Sequence, residues 1–487
     1  MLFNREGGRN MKTEVLMEND DRFKILILQY LELNKQGYVH ISKLYELTGL
    51  SKFKMENLLK ELMEDLLLLE ENPKLYINDE GVIEIKKINL SIIKKIKLKY
   101  LEHSLTFKML DDLVVRQSSV DKFSKDNHLS RSQLYIKRKE LKKFLSSYDI
   151  KLKGNKILGD ETRVRNALCI IYFDIYNGIK FPFSDEIYNI VNRLVIHYEQ
   201  WFKFNLTYVD RVKLGIVIAV SIIRVKNNHH NNIKFFESDD LLDFFSLQIS
   251  MLSDYLPVKS NILIYEVEYI LVYIVLNFEG DSIKKNYSKI QTSFFNDVDE
   301  FSQNTINKIV SNVEKISDMH YEEKKLFIEE IYKNNRRKYL FDIERTNIKS
   351  KRFFEETYPE ISNIVSESID DELSKGKYDF KFLSNHLFYD YILILFSLFS
   401  ITSLEKTIHV CVDFTMGRHY NQFIINQVVG FRHFNIKIED KLTNKTDIYI
   451  SDCIIENIEI IQIIWKSPPT SDDWEDFGNK VIEVKNL

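Results

Sequence analysis

The chain has 487 residues, which is too long for one hydrophobic core and indicates roughly three to five domains of about 100–150 residues each. Apolar residues make up 44% and aromatic residues 13%, which is ample for burial, and the formal net charge is −4. Only 14 glycines and 6 prolines interrupt long periodic stretches of Ile, Leu, Lys and Glu. The composition therefore predicts a mainly α, multidomain protein.

Cysteine usage and hydropathy argue against a secreted or membrane protein. Cys169, Cys411 and Cys453 lack CxxC or Cys/His ligand spacing, and three cysteines cannot all pair within one chain. No uncharged run reaches the ~18 residues that span a bilayer; the closest, 388–404, is interrupted by Asp390. Acidic residues lie where a signal peptide needs its apolar region: Glu14, Glu18, Asp20 and Asp21. We expect a cytoplasmic protein with no cofactor.

Residues 1–21 are predicted to be an N-terminal tail, and residues 22–87 a small winged helix-turn-helix unit. A tight turn at Gly49 precedes a helix that Ser51 can cap, and two short apolar strands flank the hairpin turn at 78–81. Candidate DNA contacts on the capped helix are Lys52 and Lys54. Acidic residues oppose them: Glu56, Glu61, Glu64 and Asp65. DNA contact and a structural role are equally open for this helix.

Residues 88–160 are predicted to be a second such unit and the main DNA reader. Helices are expected near 91–102, 105–116, 119–127 and 130–146, followed by a hairpin wing around Gly154 and Asn155. One helix-turn-helix alone can be a structural bundle. Two consecutive copies, each with a wing, favour DNA binding.

The helix after Ser130 is the most informative element of the chain. A cap at Ser130 places the next polar residues at the helix end that enters the major groove in this motif. From Ser130 to Lys156, nine bases oppose two acids, so this segment is +7 and the rest of the chain is −11. Such a local imbalance is what phosphate contacts require. The candidate DNA contacts are Ser130, Arg131, Ser132, Gln133, Tyr135, Lys137, Lys139, Lys142 and Lys153.

The remaining chain divides into two helical-bundle domains, 161–285 and 286–402, and a small C-terminal α/β domain, 403–487. The two bundles could be copies of one fold, since each contains a late aromatic helix. The Asn/His run at 227–232 is interpreted as a solvated loop, with a metal site as the alternative. After Lys406 the spacing of apolar residues changes. It predicts strands at 408–414, 434–438 and 447–451 and a helix at 421–429, an order typical of a parallel sheet.

Two short motifs support a family resemblance. They are Leu-Ser-Arg-Ser-Gln-Leu-Tyr at 129–135 and Leu-Gly-Asp-Glu-Thr-Arg-Val-Arg at 158–165. With the order of units, they resemble the Mga/AtxA class of bacterial virulence and global transcription regulators. The resemblance implies that the bundles are phosphotransferase-system regulation domains (PRDs). It also implies that the C-terminal domain is similar to a sugar-transporter enzyme IIB subunit.

The same resemblance implies control through phosphorylation of histidines by HPr or a related phosphodonor. By position, the regulatory pair would be His197 and His386, with Arg193 and Lys381 as nearby bases; the alternative for each is a partly buried, hydrogen-bonded histidine. Helices that carry histidines in antiterminator-type relatives lack them here. The C-terminal domain has Asp413-Phe414-Thr415-Met416-Gly417 where an enzyme IIB has its phosphorylated cysteine, which indicates a pseudo-enzyme.

Other functional classes have weaker support. Neither a GxGxxG nor a Walker loop occurs, and catalysis would depend on a carboxylate cluster that could be drawn from Asp413, Asp440, Asp447 and Asp452. No catalytic or metal site is expected. A sequence-tolerant architectural or replication factor is the alternative to a transcriptional regulator, and more than half of the chain lies outside the DNA-binding units. Because one chain presents one basic reading helix, a homodimer on double-stranded DNA is expected.

Overall fold

The computed structural model describes residues 12–35, 37–236, 242–256, 258–287, 290, 292–313, 321–341, 351–376, 384–400, 404–431, 434–456, 458–466 and 468–486. The chain divides into two compact units, residues 1–291 with 340–344 and residues 292–339 with 345–487. Helix predominates, as the composition predicts, and the described residues add three small sheets.

The helices of the first unit are α1 Asn19–Leu33, α2 Ile41–Thr48, α3 Lys52–Leu67, α4 Leu90–His103, α5 Leu105–Val115, α6 Val120–Asp126, α7 Arg131–Ser146, α8 Glu161–Tyr176, α9 Asp185–Phe202, α10 Tyr208–Lys226, α11 Leu242–Ser253, α12 Ser260–Asn277 and α13 Asp281–Tyr287. Those of the second unit are α14 Asn296–Asn312, α15 Tyr321–Leu340, α16 Arg352–Thr357, α17 Pro359–Ser374, α18 Ser384–Leu398, α19 Arg418–Val429 and α20 Ser471–Lys485. The strands are β1 Val39–His40, β2 Lys74–Ile77, β3 Val82–Lys86, β4 Lys151–Lys153, β5 Lys156–Leu158, β6 Ile408–Asp413, β7 Ile436–Glu439, β8 Ile448–Ser451 and β9 Ile461–Ile464.

Helices α1–α3 pack beside a three-stranded antiparallel sheet of order β1-β3-β2. The predicted hairpin is present: Gly81 adopts φ +79°, and the Asn78 side chain accepts hydrogen bonds from the backbone N–H groups of Glu80 and Val82. Ser51 caps α3, as the sequence predicts, by accepting from the N–H of Lys54. The hairpin and the cap fix this part of the fold locally.

The N-terminal segment differs from the predicted tail. Thr13–Leu16 is a short 3-10 helix, Leu16 and Met17 are fully buried, and α1 already begins at Asn19. The Ser104 hydroxyl at the start of α5 donates to the carbonyl of Leu16. The prediction of a tail is therefore wrong for residues 12–21, because apolar side chains of this segment complete the core beside α4, α7 and α8. Residues 1–11 lie outside the described part of the chain.

Helices α4–α7 and the hairpin β4–β5 follow the predicted boundaries within one or two residues. Helices α8, α9, α10 and α12 then pack together. Among the described residues, α12 alone is long and apolar enough to cross a membrane by length and composition, but 67% of it is buried. The carboxylates of Glu266 and Glu268 accept hydrogen bonds from the N–H groups of Asn231 and Phe235. These are the properties of a core helix in a bundle.

In the second unit, α14, α17 and α18 pack together. The C-terminal sheet is parallel, as predicted, with strand order β7-β6-β8-β9. Helices α19 and α20 contact this sheet, and its core includes Ile448, Ile450, Trp465 and Phe477. The sequence analysis did not predict β9 or α20. Thr470 and Asp473 form a reciprocal capping box at the start of α20, a local signal that could have revealed this helix.

Candidate nucleic-acid interface

A reciprocal hydrogen-bonded cap fixes the start of α7. The Ser130 hydroxyl accepts from the backbone N–H of Gln133 at 3.3 Å, and the Gln133 amide oxygen accepts from the N–H of Ser130 at 3.0 Å. The preceding turn has His128 at φ +52° and a hydrogen bond of 2.9 Å from the N–H of Leu129 to the carbonyl of Ser124. This geometry joins α6 to α7 and leaves the first turn of α7 exposed.

The burial pattern of α7 gives it one buried and one exposed face. Leu141, Phe144 and Leu145 are almost fully buried against the unit. The exposed face consists of residues spaced at i, i+3, i+4 and i+7, a spacing that places them on one side of a helix. We call this set the α7 outer face; its members are Ser132, Tyr135, Ile136 and Lys139. Recognition helices present such a face to the major groove.

Eight of the nine predicted contacts of this unit are exposed: Ser130, Arg131, Ser132, Gln133, Tyr135, Lys139, Lys142 and Lys153. Further exposed bases are Lys143, Lys151 and Lys156. Within the described ranges, none of the exposed cations of α7 and its wing has an acidic partner in an ion pair. The surface therefore carries a high density of positive charge that acidic neighbours leave uncompensated, as phosphate binding requires.

Lys137 is the exception among the predicted contacts. Its side chain is 16% exposed, and its Nζ lies 2.8 Å from a carboxylate oxygen of Glu18 and 3.4 Å from one of Glu140. The ammonium group is held at the start of α1 because the N-terminal segment supplies Glu18, so this lysine is placed less well for DNA than the eight exposed residues, and its DNA contact stays a prediction. Gln133 is exposed, but its amide oxygen is engaged in the cap, which leaves the amide nitrogen for a ligand.

The wing is bound to the body of the unit. Gly154, at φ +59°, allows the β4–β5 turn, and its carbonyl accepts from the guanidinium of Arg138. The Asn155 amide donates to the carbonyl of Gln117 between α5 and α6. Lys153 stays exposed beside this turn. These contacts fix the wing relative to α7 on the same cationic surface.

In the first helix-turn-helix unit, the predicted contacts differ from each other. Lys52 is 78% exposed and its Nζ lies 3.9 Å from Glu56, a loose pair. Lys54 forms an ion pair with Asp20 at the start of α1, so its charge is largely compensated. Asp65 of α3 accepts hydrogen bonds from Lys99 and from the Tyr100 hydroxyl, both at 2.6 Å. These bonds connect the two helix-turn-helix units through α4. The position of Lys54 favours a structural role for this residue.

A buried ionic network lies where the wing joins the first bundle. Arg165, Arg224 and Glu266 are at most 2% exposed. Glu161 lies 2.8 Å from Nε of Arg165 and 2.6 Å from a terminal nitrogen of Arg224, and Arg165 also binds Glu266 with two nitrogens, at 2.5 and 3.1 Å. Burial opposes ionisation of Glu161, but the two guanidinium groups outweigh it and hold the pKa of that carboxyl below its usual value.

The same network contacts the wing directly. Both terminal nitrogens of Arg224 lie 3.4 Å from the carbonyl oxygen of Ile157 in β5. Arg224 belongs to α10, and Glu266 belongs to α12. The network, which we call the junction network, therefore ties the wing to three helices of the bundle. It consists of Glu161, Arg165, Arg224 and Glu266.

The two predicted regulatory histidines lie on the helices where they were expected. His197 is half-buried in α9, with its ring 6.1 Å from that of Trp201, and burial lowers the pKa of its imidazole. The predicted basic partner Arg193 is exposed one turn before it. His386 is half-buried in the first turn of α18. Its suggested partner Lys381 lies outside the described residues.

The C-terminal domain offers no reactive group at the expected position. Cys411 is 2% exposed within β6, and burial raises the pKa of its thiol to about 11. Asp447 accepts from the N–H of His409 at 2.8 Å, and Asp452 accepts from the N–H of Thr415 at 2.9 Å, so both carboxylates hold loops in place. No group of three or more potential ligands that could hold a metal occurs among the described residues, the Asn/His run included.

Two features of this region were not predicted from the sequence, the exposure of Ile136 and the ion pair made by Glu18. Ile136 is 54% exposed on the α7 outer face, and the sequence analysis gave it no place on either face of the helix. The spacing from Ser132 and Lys139, which were both assigned to the outside, could have revealed its position. Glu18 was missed because its partner lies 119 residues away in the chain.

Comparison with known proteins matches one part of the chain. No curated protein matches the sequence. Residues 89–174 match the family model of the Mga helix-turn-helix domain. The matched segment begins at Asn89, the residue that caps α4, includes α7 and the wing, and ends within α8. It thus contains the whole cationic surface described above, and this part of the chain is similar to the helix-turn-helix domain of that family.

Proposed function

We propose that this protein is a DNA-binding transcriptional regulator that inserts α7 into the major groove of double-stranded DNA. The observation that carries the proposal is the uncompensated cationic surface around a capped, exposed helix start within an Mga helix-turn-helix domain. The capped end supplies polar groups for base edges, and the surrounding lysines supply phosphate contacts. The wing, held by Arg138 of α7 and by the hydrogen bond of Asn155 to Gln117, supports a single docking geometry.

The first test is selection of bound duplexes from a random-sequence pool with the full-length protein. We expect one enriched sequence, bound with an affinity that falls steeply between about 50 and 200 mM salt because phosphate contacts release counterions. Sequence-tolerant binding would favour the architectural or replication factor instead. Absence of binding would refute both. Transcript changes on deletion of the gene, compared with sites occupied in the cell, then test whether binding controls transcription.

We further propose that the protein acts in the cytoplasm as a global or virulence regulator of the Mga/AtxA type, and that its two helical bundles are PRD-like. Phosphorylation of His197 and His386 by HPr or a related donor would be the control. The half-buried position and lowered pKa of His197 support this proposal, because a neutral imidazole is the form that accepts a phosphoryl group. A dianion there would alter the packing of α9.

The control is tested with enzyme I, HPr and labelled phosphoenolpyruvate. We expect acid-labile label on the wild type and loss of label in the double variant His197→Ala/His386→Ala. The matched control is His229→Ala, a histidine of the same bundle whose Nε2 lies 3.1 Å from the Gln117 amide nitrogen. Equal labelling of the double variant would remove both histidines from the mechanism.

A further inference from the structure

Ile136 is an apolar residue at the centre of the proposed DNA-reading face. It is 54% exposed, and on a helix it lies between Ser132 one turn before it and Lys139 almost one turn after it. Single exposed apolar residues are common on protein surfaces and by themselves need no explanation. Ile136 differs because its neighbours on the same face are polar or cationic and its helix has a separate, complete apolar face.

The buried face of α7 does not need Ile136. Leu141, Phe144 and Leu145 fill that side, and Leu134 is half-buried above them. In the free protein, more than half of the surface of Ile136 therefore stays exposed to solvent. It gains burial when an apolar group of a ligand covers it.

The base edges of the major groove present one apolar group, the 5-methyl of thymine. We propose that Ile136 contacts a thymine 5-methyl group and is thereby a specificity-determining residue of the DNA site. The inference rests on the proposed function, and it adds the chemical feature that the α7 outer face recognises. Tyr135, 70% exposed on the same face, carries a hydroxyl that can donate a hydrogen bond to a phosphate oxygen.

The position of Ile136 fits this role. It lies five residues after Arg131, the first residue of α7, which is roughly 7.5 Å along the helix axis. Recognition helices contact base edges with their N-terminal part, and residues at i, i+3, i+4 and i+7 share the face that enters the groove. Lys139 follows at the last of these positions and adds positive charge. Ile136 is thus surrounded by groups suited to bases and phosphates.

The test replaces thymine by deoxyuridine, one position at a time, in the duplex selected by the full-length protein. Deoxyuridine pairs with adenine in the same way and lacks only the 5-methyl group. We expect about fourfold weaker binding at one position of each half-site, the fold-change that corresponds to burial of about one methyl group. Other thymines of the duplex should show no change.

A double-mutant cycle then assigns the contact. Ile136→Ala should bind the thymine duplex less tightly and show no further loss at the sensitive position, while Ile136→Val, which keeps a branched side chain, should retain part of the discrimination. The matched control is Lys142→Ala, which should weaken binding to both duplexes equally and keep the fourfold difference. Thermal unfolding followed by circular dichroism should give all three variants a midpoint close to that of the wild type, because the altered side chains are exposed.

The outcomes separate this inference from the proposed function. A selected sequence with no sensitive thymine, or an Ile136→Ala variant that keeps the full deoxyuridine effect, overturns the inference and leaves the regulator intact. Failure to select any sequence overturns both. A change of oligomeric state in Ile136→Ala, without a change in thymine discrimination, would show that Ile136 is covered by protein instead.

Discussion

Arg131 and Lys142 are both exposed cations on α7, yet their positions give them different tasks. Arg131 is the first residue of the helix, at the end that meets base edges, and its planar guanidinium can bind two acceptors of a guanine. Lys142 lies eleven residues later, roughly 16 Å along the axis, on the flank of the α7 outer face. At that distance from the helix start, a flexible ammonium suits a phosphate of the DNA backbone.

Replacement of Arg131 by alanine should therefore relax base preference at one position and cost roughly 1–3 kcal/mol on the preferred sequence. Lys142→Ala is the matched control: it should weaken binding to all sequences and lower the salt slope of log affinity by about 0.9. Fluorescence anisotropy on the selected duplex and on single-base variants measures both effects. Unchanged specificity in Arg131→Ala would place the reading contact elsewhere on α7.

At the scale of elements, the junction network is the contact that binds the wing to the first bundle. A buried ion pair adds little stability over an apolar pair, but loss of one partner leaves an uncompensated charge. Arg165 has two acidic partners, Glu161 and Glu266, and its guanidinium also lies 5.1 Å from the ring centre of Tyr269. Removal of one carboxylate charge should therefore destabilise the wing as well as the bundle.

We expect Glu266→Gln to reduce the free energy of unfolding by about 3–5 kcal/mol, the usual cost of an unpaired buried charge. The matched control is Glu102→Gln, because Glu102 pairs with Lys180 at 2.7 Å in a solvent-accessible position of the same unit, with side chains 30% and 53% exposed, where such pairs contribute about 0–1 kcal/mol. Urea unfolding followed by circular dichroism measures the difference. Equal effects of the two substitutions would contradict the structural role given to the network.

A second buried carboxylate, Glu405, makes stability depend on pH. Burial raises its pKa from 4.5 to about 7, although it accepts from the N–H of Ile361 and its carboxylate lies 3.8 Å from Lys485, whose own pKa burial lowers. Between about pH 4.5 and 7, Glu405 therefore keeps a proton in the folded state that it has lost in the unfolded state. This contribution to stability is complete below about pH 4.5 and is lost as the pH rises through about 7.

The loss should amount to at most about 3.5 kcal/mol, from roughly 1.4 kcal/mol per unit of pKa difference. Glu405→Gln cannot ionise and keeps an oxygen for the N–H of Ile361, so it should flatten the decline of stability between pH 5 and 8. Thermal unfolding of wild type and variant across this range checks the prediction. Parallel pH profiles of the two proteins would show that Glu405 does not titrate with folding.

Local signals were sufficient for most elements and failed where contacts are distant in sequence. The helix after Ser130 and the hairpin at Gly154 were predictable because caps and turns are coded by adjacent residues. The role of residues 12–18 was not, since the Leu16 carbonyl and Glu18 find their partners 88 and 119 residues away. The ion pair of Lys137 with Glu18 was not predictable for the same reason: charge in the sequence does not reveal an ion pair formed through folding.

At the scale of the whole molecule, the described part of one chain offers a single uncompensated reading helix, because the lysines of α3 lie among acids and Lys54 is paired. Helix-turn-helix proteins usually gain affinity by pairing two reading helices across half-sites about one DNA turn apart. The C-terminal domain exposes apolar residues in two linked loops that follow adjacent strands, Met416 after β6 and Ile454 after β8. Such a patch is suited to a contact between copies.

We therefore expect the full-length protein to be a homodimer, with a mass by light scattering of twice the 58.1 kDa chain. Met416→Asp/Ile454→Asp should shift it toward monomers at micromolar concentration, because the contact would bury two unpaired charges, and should weaken binding to a two-half-site duplex more than to a single half-site. The matched control is Leu68→Asp, which alters an equally exposed leucine at the end of α3. A monomeric wild type at micromolar concentration would contradict the prediction, and a dimer unaffected by the double substitution would place the contact on another surface.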